Sequence, residues 1–309
     1  MTPSGYRTQT PFQRKKNIAS IVNAHHCLAM KLSVLITCYN RKEKTLACLD
    51  ALFKNFFPDG LCLEVFLVDD GSTDGTADAV RNLFPSVHVL SGDSNLFWCR
   101  GMHKAFETAL QDDNDYYLWL NDDTMLQPDA LARLLECEAA LGRNKPAIIV
   151  GSTIDADTGK LTYGGVVRTS MFKPVSFERV EPGKEAQRCD SMTGNIVLIP
   201  SQVAHAVGNL DPVFEHAMGD TDYALRARQL GFEVWVGPGI FGSCCANPNA
   251  GTFLDASQPL SQRWRQMMSR KGLPWRSWLV LTRRHAGPLW LIYFAWPYVC
   301  LIFGGYRRR

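Results

Sequence analysis

Short apolar runs alternate with helical patterns along the first half of the chain. The run LSVLIT at 32–37 is continuous and β-branched, which is typical of a strand that is buried on both faces. LEVFLV at 63–68, YYLWL at 116–120 and AIIVGS at 147–152 have the same character. Strands that alternate with helices predict βαβ units, and hence an α/β fold with a mostly parallel central sheet.

The remaining elements follow from the same patterns. Helices are predicted at 46–56, 77–84, 101–111, 128–141 and 220–230, and a further strand at 87–90. Beyond residue 153 the alternation breaks: a hairpin is predicted at 155–168, and strands at 194–200 and 232–236. Gly231 is expected to close the helix at 220–230.

The chain divides into regions of different composition. The predicted regions are an N-terminal tail at 1–30, an α/β domain at 31–250 with halves 31–125 and 126–250, and a C-terminal extension at 251–309. The first region is polar and basic without clear periodicity. We therefore expect residues 1–29 to be a dispensable tail, or Met30 to be the natural start.

The extension contains residues 287–305, a stretch of 19 residues without charge between Arg283-Arg284 and Arg307-Arg308-Arg309. A spanning helix needs roughly 17–25 apolar residues, and Pro297 would kink it. Aromatic residues and basic flanks favour an interfacial segment that contacts anionic lipid. The alternatives are a segment that spans the membrane, one that lies on its cytoplasmic face, and one that packs against the α/β domain or a partner.

Composition indicates the compartment and gives no support for a nucleic-acid partner. Apolar residues make up 46% and charged residues 20%, as in folded proteins, and a net charge of +3 does not indicate a nucleic-acid partner. The ten cysteines form no C-x-x-C pair, which predicts free thiols in a reducing cytoplasm. No apolar run of secretory length occurs in the first thirty residues.

Three polar clusters directly follow predicted strands: 37–41, 69–76 and 121–124. Ligands bind beyond the carboxyl ends of the strands in open α/β sheets, so the three clusters predict one site. The chain has no dinucleotide fingerprint and no P-loop, and DGSTDG lacks the glutamate of an EF-hand loop. Oxygen ligands at Asp122 and Asp123 suit Mg²⁺ or Mn²⁺, with a solvated turn as the alternative.

Four segments in order resemble the signatures of glycosyltransferase family 2: LSVLITCYNR, VFLVDDGSTDGT, YYLWLNDDT and HAMGDTDYALRARQLG. The resemblance extends over about residues 31–245 and is to bacterial rhamnosyltransferase-like members. It implies the GT-A fold, a Rossmann-like sheet with flanking helices. It also implies an inverting transferase that moves sugar from a UDP- or dTDP-sugar to a saccharide or lipid-linked hydroxyl in surface polysaccharide synthesis.

The resemblance also implies roles for single residues on the donor side. Nucleotide-sugar binding falls to Thr37, Tyr39, Asn40, Asp69, Asp70, Ser72, Arg100, Asn121 and Asp122. Asp70 would accept a hydrogen bond from the base, while Asp69 and Ser72 would support the loop. Asp123, with Asp122 nearby, would bind the metal, and Asn121 replaces the first acid of the D-x-D motif. Arg100 could equally be a solvated residue at a helix start.

On the acceptor side the resemblance implies that Asp220 is the catalytic base, and Gly219 replaces the first acid of that pair. The other residues implied there are Gly194, Asn195, Asp222 and Trp235. Helix capping is the alternative for the two aspartates, and a core position is the alternative for the tryptophan. Arg226 is expected to pair with Asp222. His216 is expected to be a loop residue, and the family's metal-binding histidine has no counterpart near Cys244.

Two other functions fit the same cluster of acids. A nucleotidyltransferase would attack a phosphate and would need a second set of metal ligands and basic phosphate clamps, neither of which is evident in the sequence. A non-catalytic nucleotide-sugar-binding protein would have no turnover to lose when Asp220 is changed to Asn.

Overall fold

The structure is a computed structural model and describes residues 30–141, 145–246 and 250–304. The predicted tail at residues 1–29 lies outside the described residues. The strands are β1 Met30–Cys38, β2 Leu61–Asp69, β3 Val87–Ser91, β4 Tyr116–Leu120, β5 Met125–Leu126, β6 Ala147–Ile154, β7 Leu161–Tyr163, β8 Gly165–Arg168, β9 Phe177–Arg179, β10 Gln187–Cys189, β11 Ser191–Met192, β12 Ile196–Pro200 and β13 Glu233–Ser243. The helices are α1 Lys42–Phe53, α2 Thr76–Leu83, α3 Phe97–Ala109, α4 Ala130–Leu141, α5 Ser201–Val207, α6 Gly219–Gln229, α7 Leu260–Met267, α8 Trp275–His285 and α9 Trp290–Ile302.

Ten of the described strands form one sheet in the order β10-β13-β6-β12-β4-β1-β2-β3, with β5 paired to β13 and β7 to β6. Strands β4, β1, β2 and β3 are parallel, as are β13 and β6. Strand β12 joins these two groups because it lies antiparallel between β4 and β6. The prediction of a mostly parallel sheet is confirmed.

Helices cover both faces of the sheet, which is why the central strands read as continuous apolar runs. In β4, Leu118 and Leu120 pack with residues of α1, α2 and α4. The alternate residues Tyr117 and Trp119 pack with residues of α3, α5, α6 and α8 on the other face. Successive strand residues point to opposite faces, so one run of apolar residues fills two cores.

Several element boundaries differ from the prediction; for example, β13 extends to Ser243 rather than ending at residue 236. The hairpin predicted at 155–168 is displaced toward the N-terminus: β7 pairs with β6, which ends at Ile154, while β8 pairs with β9 and β11 in a separate sheet. Helix α3 begins at Phe97, four residues before the predicted start. The reason is that Asp70 accepts hydrogen bonds from the backbone N–H groups of Leu96 and Phe97, which would otherwise lack partners at the helix start.

Residues after 250 pack on the same core. Trp278 and Leu281 of α8 are buried there, and α9 packs on α7 and α8. Trp278 donates a hydrogen bond from Nε1 to the carbonyl of Phe294 at 3.1 Å. Within the described ranges, no helix combines the length and apolar character needed to cross a membrane.

The nine cysteines in the described part of the chain are all free, which confirms the prediction of free thiols. Most are buried, and burial raises the pKa of the Cys189 and Cys244 thiols to about 12. These thiols are therefore protonated at neutral pH. Cys27 lies outside the described residues.

Candidate active site

A continuous cleft opens at the carboxyl ends of β1, β2 and β4. Its first half, of about 320 Å³, is lined by Thr37, Cys38, Tyr39, Asp70 and Phe97. Its second half, of about 400 Å³, is lined by Asn121, Asp123, Tyr163, Thr193, Gly194, Asn195, Ala217, Met218, Asp220 and Thr221. Both halves share Arg41, Trp98, Asp122, His216 and Lys271. The cleft thus brings together the strand-end clusters and Asp220.

The loops after β1 and β2 hold each other in place. Asn40 accepts a hydrogen bond through Oδ1 from the backbone N–H of Thr73 at 2.7 Å, and its own N–H donates to Ser72 Oγ at 2.9 Å. Asp69 Oδ1 accepts from the backbone N–H of Ser72 at 3.0 Å. Asn40, Asp69 and Ser72 therefore shape the cleft without lining it.

Asp70 is buried and lines the first half of the cleft. Its Oδ2 accepts hydrogen bonds from the N–H groups of Leu96 and Phe97, each at 3.0 Å. A carboxylate offers about four acceptor positions, so Asp70 keeps capacity for a ligand N–H. Thr37 and Tyr39, also predicted to bind the nucleotide, line the same half.

Asp122 and Asp123 lie side by side in the cleft with Arg41 between them. Arg41 Nη1 is 2.8 Å from Asp123 Oδ2 and 3.2 Å from Asp122 Oδ1. Burial raises the pKa of Asp122 to about 7, and the Arg41 guanidinium offsets part of that effect. Asp122 Oδ2 is buried and accepts no hydrogen bond from the described residues.

This unpartnered oxygen, beside a second carboxylate, fits a hard divalent cation. The protein alone offers few ligands, because no group of three or more His, Cys, Asp or Glu side chains among the described residues could hold a metal. Any cation bound by Asp122 and Asp123 would need further oxygen ligands from water or substrate. Arg41 would have to release at least one of the two carboxylates.

Asp220 lies in the second half of the cleft at the start of α6. Its Oδ2 accepts from the N–H of Gly194 at 3.0 Å, and its Oδ1 from the N–H of Thr221 at 2.8 Å. Burial raises the pKa of Asp220, and the backbone N–H groups partly oppose the shift. Position 194 requires glycine, since a Cβ there would lie 2.3 Å from the ring of Trp98.

The wall between the two halves is built around Trp98. Its Nε1–H donates to Asn121 Oδ1 at 2.7 Å, and the backbone N–H of Asn121 donates to the carbonyl of Asn195 at 3.1 Å. Asn121 thus stands at the predicted place in the cleft, with its side-chain oxygen bound to an indole.

Asp222 does not face the cleft, and its assignment to the acceptor side is corrected. Its side chain is fully buried and lies 2.8 Å from Arg226 Nε, 3.1 Å from Arg284 Nη1 and 2.9 Å from His285 Nε2. The predicted pair with Arg226 is present. Burial would raise the pKa of Asp222, but His285, Arg226 and Arg284 outweigh it and lower that pKa below its ordinary value.

Arg100 and Trp235 are also placed outside the lining of the cleft. Arg100 donates to the carbonyl of Pro212 at 2.8 Å and contacts Glu215, so it holds the loop before α6. Trp235 lies near the sheet edge, where β13 pairs with β10, and donates to Glu233 at 3.0 Å. Both side chains are therefore occupied by neighbouring protein groups, contrary to the roles implied by the resemblance.

Four residues of the shared wall received no site role from the sequence. Arg41 ends the first motif, LSVLITCYNR, so a signal was present for it, whereas Trp98 lies outside the four motifs, two residues before Arg100. Lys271 comes from the segment after α7, and no local pattern connects it with the cleft. His216, expected to be a loop residue, has a buried Nδ1 without a partner among the described residues. Burial, then Lys271 and Arg41, lower the pKa of His216 to about 4, so its ring is neutral at pH 7.

Backbone strain also concentrates here. The non-glycine residues with positive φ in the described ranges are Asn40 at 49°, Ser94 at 66°, Phe97 at 58° and Met218 at 75°. Phe97 and Met218 line the cleft, and Asn40 joins the loops that form it. Strained residues of this kind persist where surrounding contacts enforce them, most often at functional sites.

Comparison with solved structures identifies the fold. The chain superposes on the S. aureus TarS crystal structure with a TM-score of 0.51 at 15% identity, covering 82% of this chain and 42% of that one. GalNAc-T7 crystallised with UDP, GalNAc and Mn²⁺ gives 0.53 at 15% identity, over 68% and 43% of the two chains. TarS 1–349 in complex with UDP gives 0.52 at 13% identity, over 82% and 70%. The predicted GT-A fold is confirmed.

Comparison with characterised sequences also points to glycosyltransferases. The hyaluronan synthase of Pasteurella multocida is 28% identical over 134 residues, which are 42% of this chain and 13% of that protein. The chain therefore spans only a small part of this relative. The family model described as "Glycosyl transferase family 2" matches residues 33–197, more than half of the chain. On that match, the chain belongs to glycosyl transferase family 2.

Proposed function

We propose that the protein is an inverting, metal-dependent glycosyltransferase that uses a UDP- or dTDP-sugar. The acceptor is a hydroxyl of a saccharide or lipid-linked oligosaccharide in cell-surface polysaccharide synthesis, and the enzyme works at the cytoplasmic face of the membrane. The observation that carries the proposal is the convergence of Asp70, Asp123 and Asp220 on one cleft. The UDP in two of the similar structures supports the donor class.

The first half of the cleft suits the nucleoside. Asp70 can accept a hydrogen bond from the ring N–H of uracil or thymine, while Thr37 and Tyr39 lie beside it. Arg41 and Lys271 line the junction of the two halves, where the diphosphate of a bound donor would lie. Two cations there attract the diphosphate and fix its position.

Asp122 and Asp123 would hold Mg²⁺ or Mn²⁺, in line with the Mn²⁺ in the GalNAc-T7 structure. When bound, the cation supplies Lewis-acid stabilisation of the diphosphate as it leaves the sugar. Arg41, which contacts both carboxylates, would then have to release one of them and could contact phosphate oxygens instead. Lys271 keeps its place beside the same junction.

Asp220 is the proposed general base. The N–H groups of Gly194 and Thr221 orient its carboxylate, and burial raises its pKa toward the range of an effective base. A carboxylate oxygen of Asp220 takes the proton from the acceptor hydroxyl, whose oxygen attacks the anomeric carbon. The bond to the diphosphate breaks as the new bond forms, so one displacement inverts the anomeric centre.

The test is a thermal-shift panel of UDP-, dTDP- and GDP-sugars with and without Mn²⁺. A ligand that binds the folded protein raises Tm, by about 5 °C for a chain of this size at about 100 times Kd. We expect UDP- or dTDP-sugars to raise Tm, and Mn²⁺ to increase the effect. The matching free monosaccharides should leave Tm unchanged. If no donor raised Tm above that of the protein without ligand, the proposal would be contradicted.

Product analysis separates the alternatives. A glycosyltransferase releases a nucleoside diphosphate, whereas a nucleotidyltransferase releases pyrophosphate from a nucleoside triphosphate. A binding protein releases neither. The kinship with rhamnosyltransferase-like members stays a prediction, and incubation with dTDP-rhamnose and UDP-sugars in parallel would test it.

A further inference from the structure

Helix α9 has two apolar faces, and among the described residues only one of these faces has packing partners. Phe294 and Tyr298 pack against each other and against α7 and α8, through contacts with Trp264 and Trp278. The residues of the opposite face recur at intervals of three and four positions, and their side chains are exposed; Trp296, for example, is 62% exposed. Its side chains are Ile292, Trp296, Val299 and Phe303.

A loop from the α/β domain extends this face. Met171 and Phe172, after β8, are 84% and 76% exposed. Tyr293 Oη of α9 donates a hydrogen bond to the carbonyl of Phe172 at 2.6 Å, which fixes the loop beside the helix. Met171, Phe172 and Leu289 line one groove of about 300 Å³. We call these three residues and the exposed face of α9 the docking surface.

Leu289 and the face of α9, which form most of the docking surface, belong to the basic part of an otherwise acidic chain. From residue 256 to 309 the sequence has ten Lys and Arg and no Asp or Glu, whereas the rest has 23 basic and 30 acidic residues. Arg270 and Arg284 pair with Glu215 and Asp211. Arg265, Arg276 and Arg283 are exposed, and no ion pair of theirs occurs among the described residues.

We infer that the docking surface lies on a membrane that contains anionic lipid. Its apolar side chains enter the boundary between headgroups and acyl chains, and the exposed arginines attract lipid phosphates. Trp296 has the amphipathic ring that favours this boundary. A second copy of the chain would cover the apolar face equally well, but it would carry the same excess of positive charge and be repelled. The inference rests on the membrane location proposed above and adds the surface and the lipid class.

The test is co-flotation of the full chain with vesicles of phosphatidylcholine, with and without phosphatidylglycerol. We expect binding to the anionic vesicles, reduced at high salt. Trp296→Glu and Phe172→Glu should each lower the bound fraction about tenfold, because a charge replaces an apolar side chain at the lipid boundary. Phe56→Glu is the matched control, because Phe56 is 65% exposed and lies three residues after the end of α1, where its backbone N–H donates to the carbonyl of Pro128.

Absence of binding to anionic vesicles would overturn the inference, as would an equal loss in all three variants. A dimer seen by light scattering without lipid and broken by Trp296→Glu, together with no flotation, would assign the surface to a second copy instead. Thermal shifts with UDP separate this inference from the proposed function. A Trp296→Glu protein that keeps its UDP shift but no longer floats supports the inference. Wild-type protein that floats without any UDP shift leaves it standing while the donor proposal fails.

Discussion

At the scale of single residues, the role proposed for Asp220 as the general base is the most specific. Asp220→Asn keeps the size of the side chain but removes the carboxylate that is proposed to accept the proton. We expect turnover to fall about 10³-fold, the typical contribution of a general base, with UDP binding unchanged. Sugar transfer followed by release of UDP measures the loss, and calorimetry with UDP measures binding.

Asp78→Asn is the control for this variant, because Asp78 is exposed in the first turn of α2. It should keep wild-type turnover. If Asp220→Asn transferred sugar at the wild-type rate, Asp220 would not be the base. If neither protein transferred any sugar while both bound UDP, the non-catalytic binding alternative would gain support.

Arg41 is a second residue with a distinct signature, since it pairs with both carboxylates of the proposed metal site. Arg41→Met keeps much of the side-chain length and removes the positive charge that competes with a cation. Mn²⁺ affinity in the absence of nucleotide should rise about tenfold, which corresponds to about 1.4 kcal/mol. UDP affinity should fall, because one phosphate contact is lost. Calorimetric titrations with Mn²⁺ alone and with UDP alone distinguish the two effects, and weaker Mn²⁺ binding would contradict this role for Arg41.

At the scale of elements, the sequence predicted most strands and helices because their apolar periodicity is local. The start of α3 was missed because its cap, Asp70, lies 26 residues away from Leu96. Asp222 shows the same limit: from the sequence it is one of two acids at a helix start, whereas its partners Arg284 and His285 come from α8, over sixty residues later. Local patterns identified where side chains emerge from the sheet, but not which distant groups meet them.

Helices α6 and α8 are joined by the buried contacts of Asp222. Removing one partner of a buried ion pair leaves the others uncompensated, so Asp222→Asn should lower the free energy of unfolding by about 3 kcal/mol at pH 7. The effect should depend on pH, because the folded protein lowers the pKa of Asp222 below its ordinary value of 3.8. Its stabilising contribution is therefore complete above pH 3.8 and is lost as the pH falls through the lower, folded-state value.

Urea unfolding of wild-type and Asp222→Asn protein at pH 7 and at the lowest pH where both remain folded measures this difference. Asp78→Asn serves again as the exposed control and should change the free energy of unfolding by less than about 0.5 kcal/mol. A difference between wild type and Asp222→Asn that stayed constant or grew at low pH would show that Asp222 does not stabilise the fold as a carboxylate.

At the scale of the whole molecule, the segment after residue 250 connects the cleft, the core and the docking surface. Lys271 lines the cleft, and Arg270 stacks on Phe97 of the cleft wall at 4.3 Å. A few residues later α8 is anchored in the core, and α9 presents the exposed apolar face. A membrane bound at the docking surface would therefore hold the segment that also carries Lys271, a cation of the proposed donor site.

Lys271 gives the sharpest test of this connection. Lys271→Met removes a charge from the junction where the diphosphate is proposed to lie, and a hydrogen bond to a charged group typically contributes about 1.5–3 kcal/mol. UDP affinity should fall about tenfold or more, while uridine affinity should not change, because uridine has no phosphate. Lys160→Met, on the exposed turn before β7, should bind both ligands like wild type. Calorimetry with UDP and with uridine measures both affinities. An equal loss of affinity for both ligands would mean that Lys271 only supports the shape of the cleft. An unchanged affinity for both would mean that Lys271 does not belong to the proposed donor site.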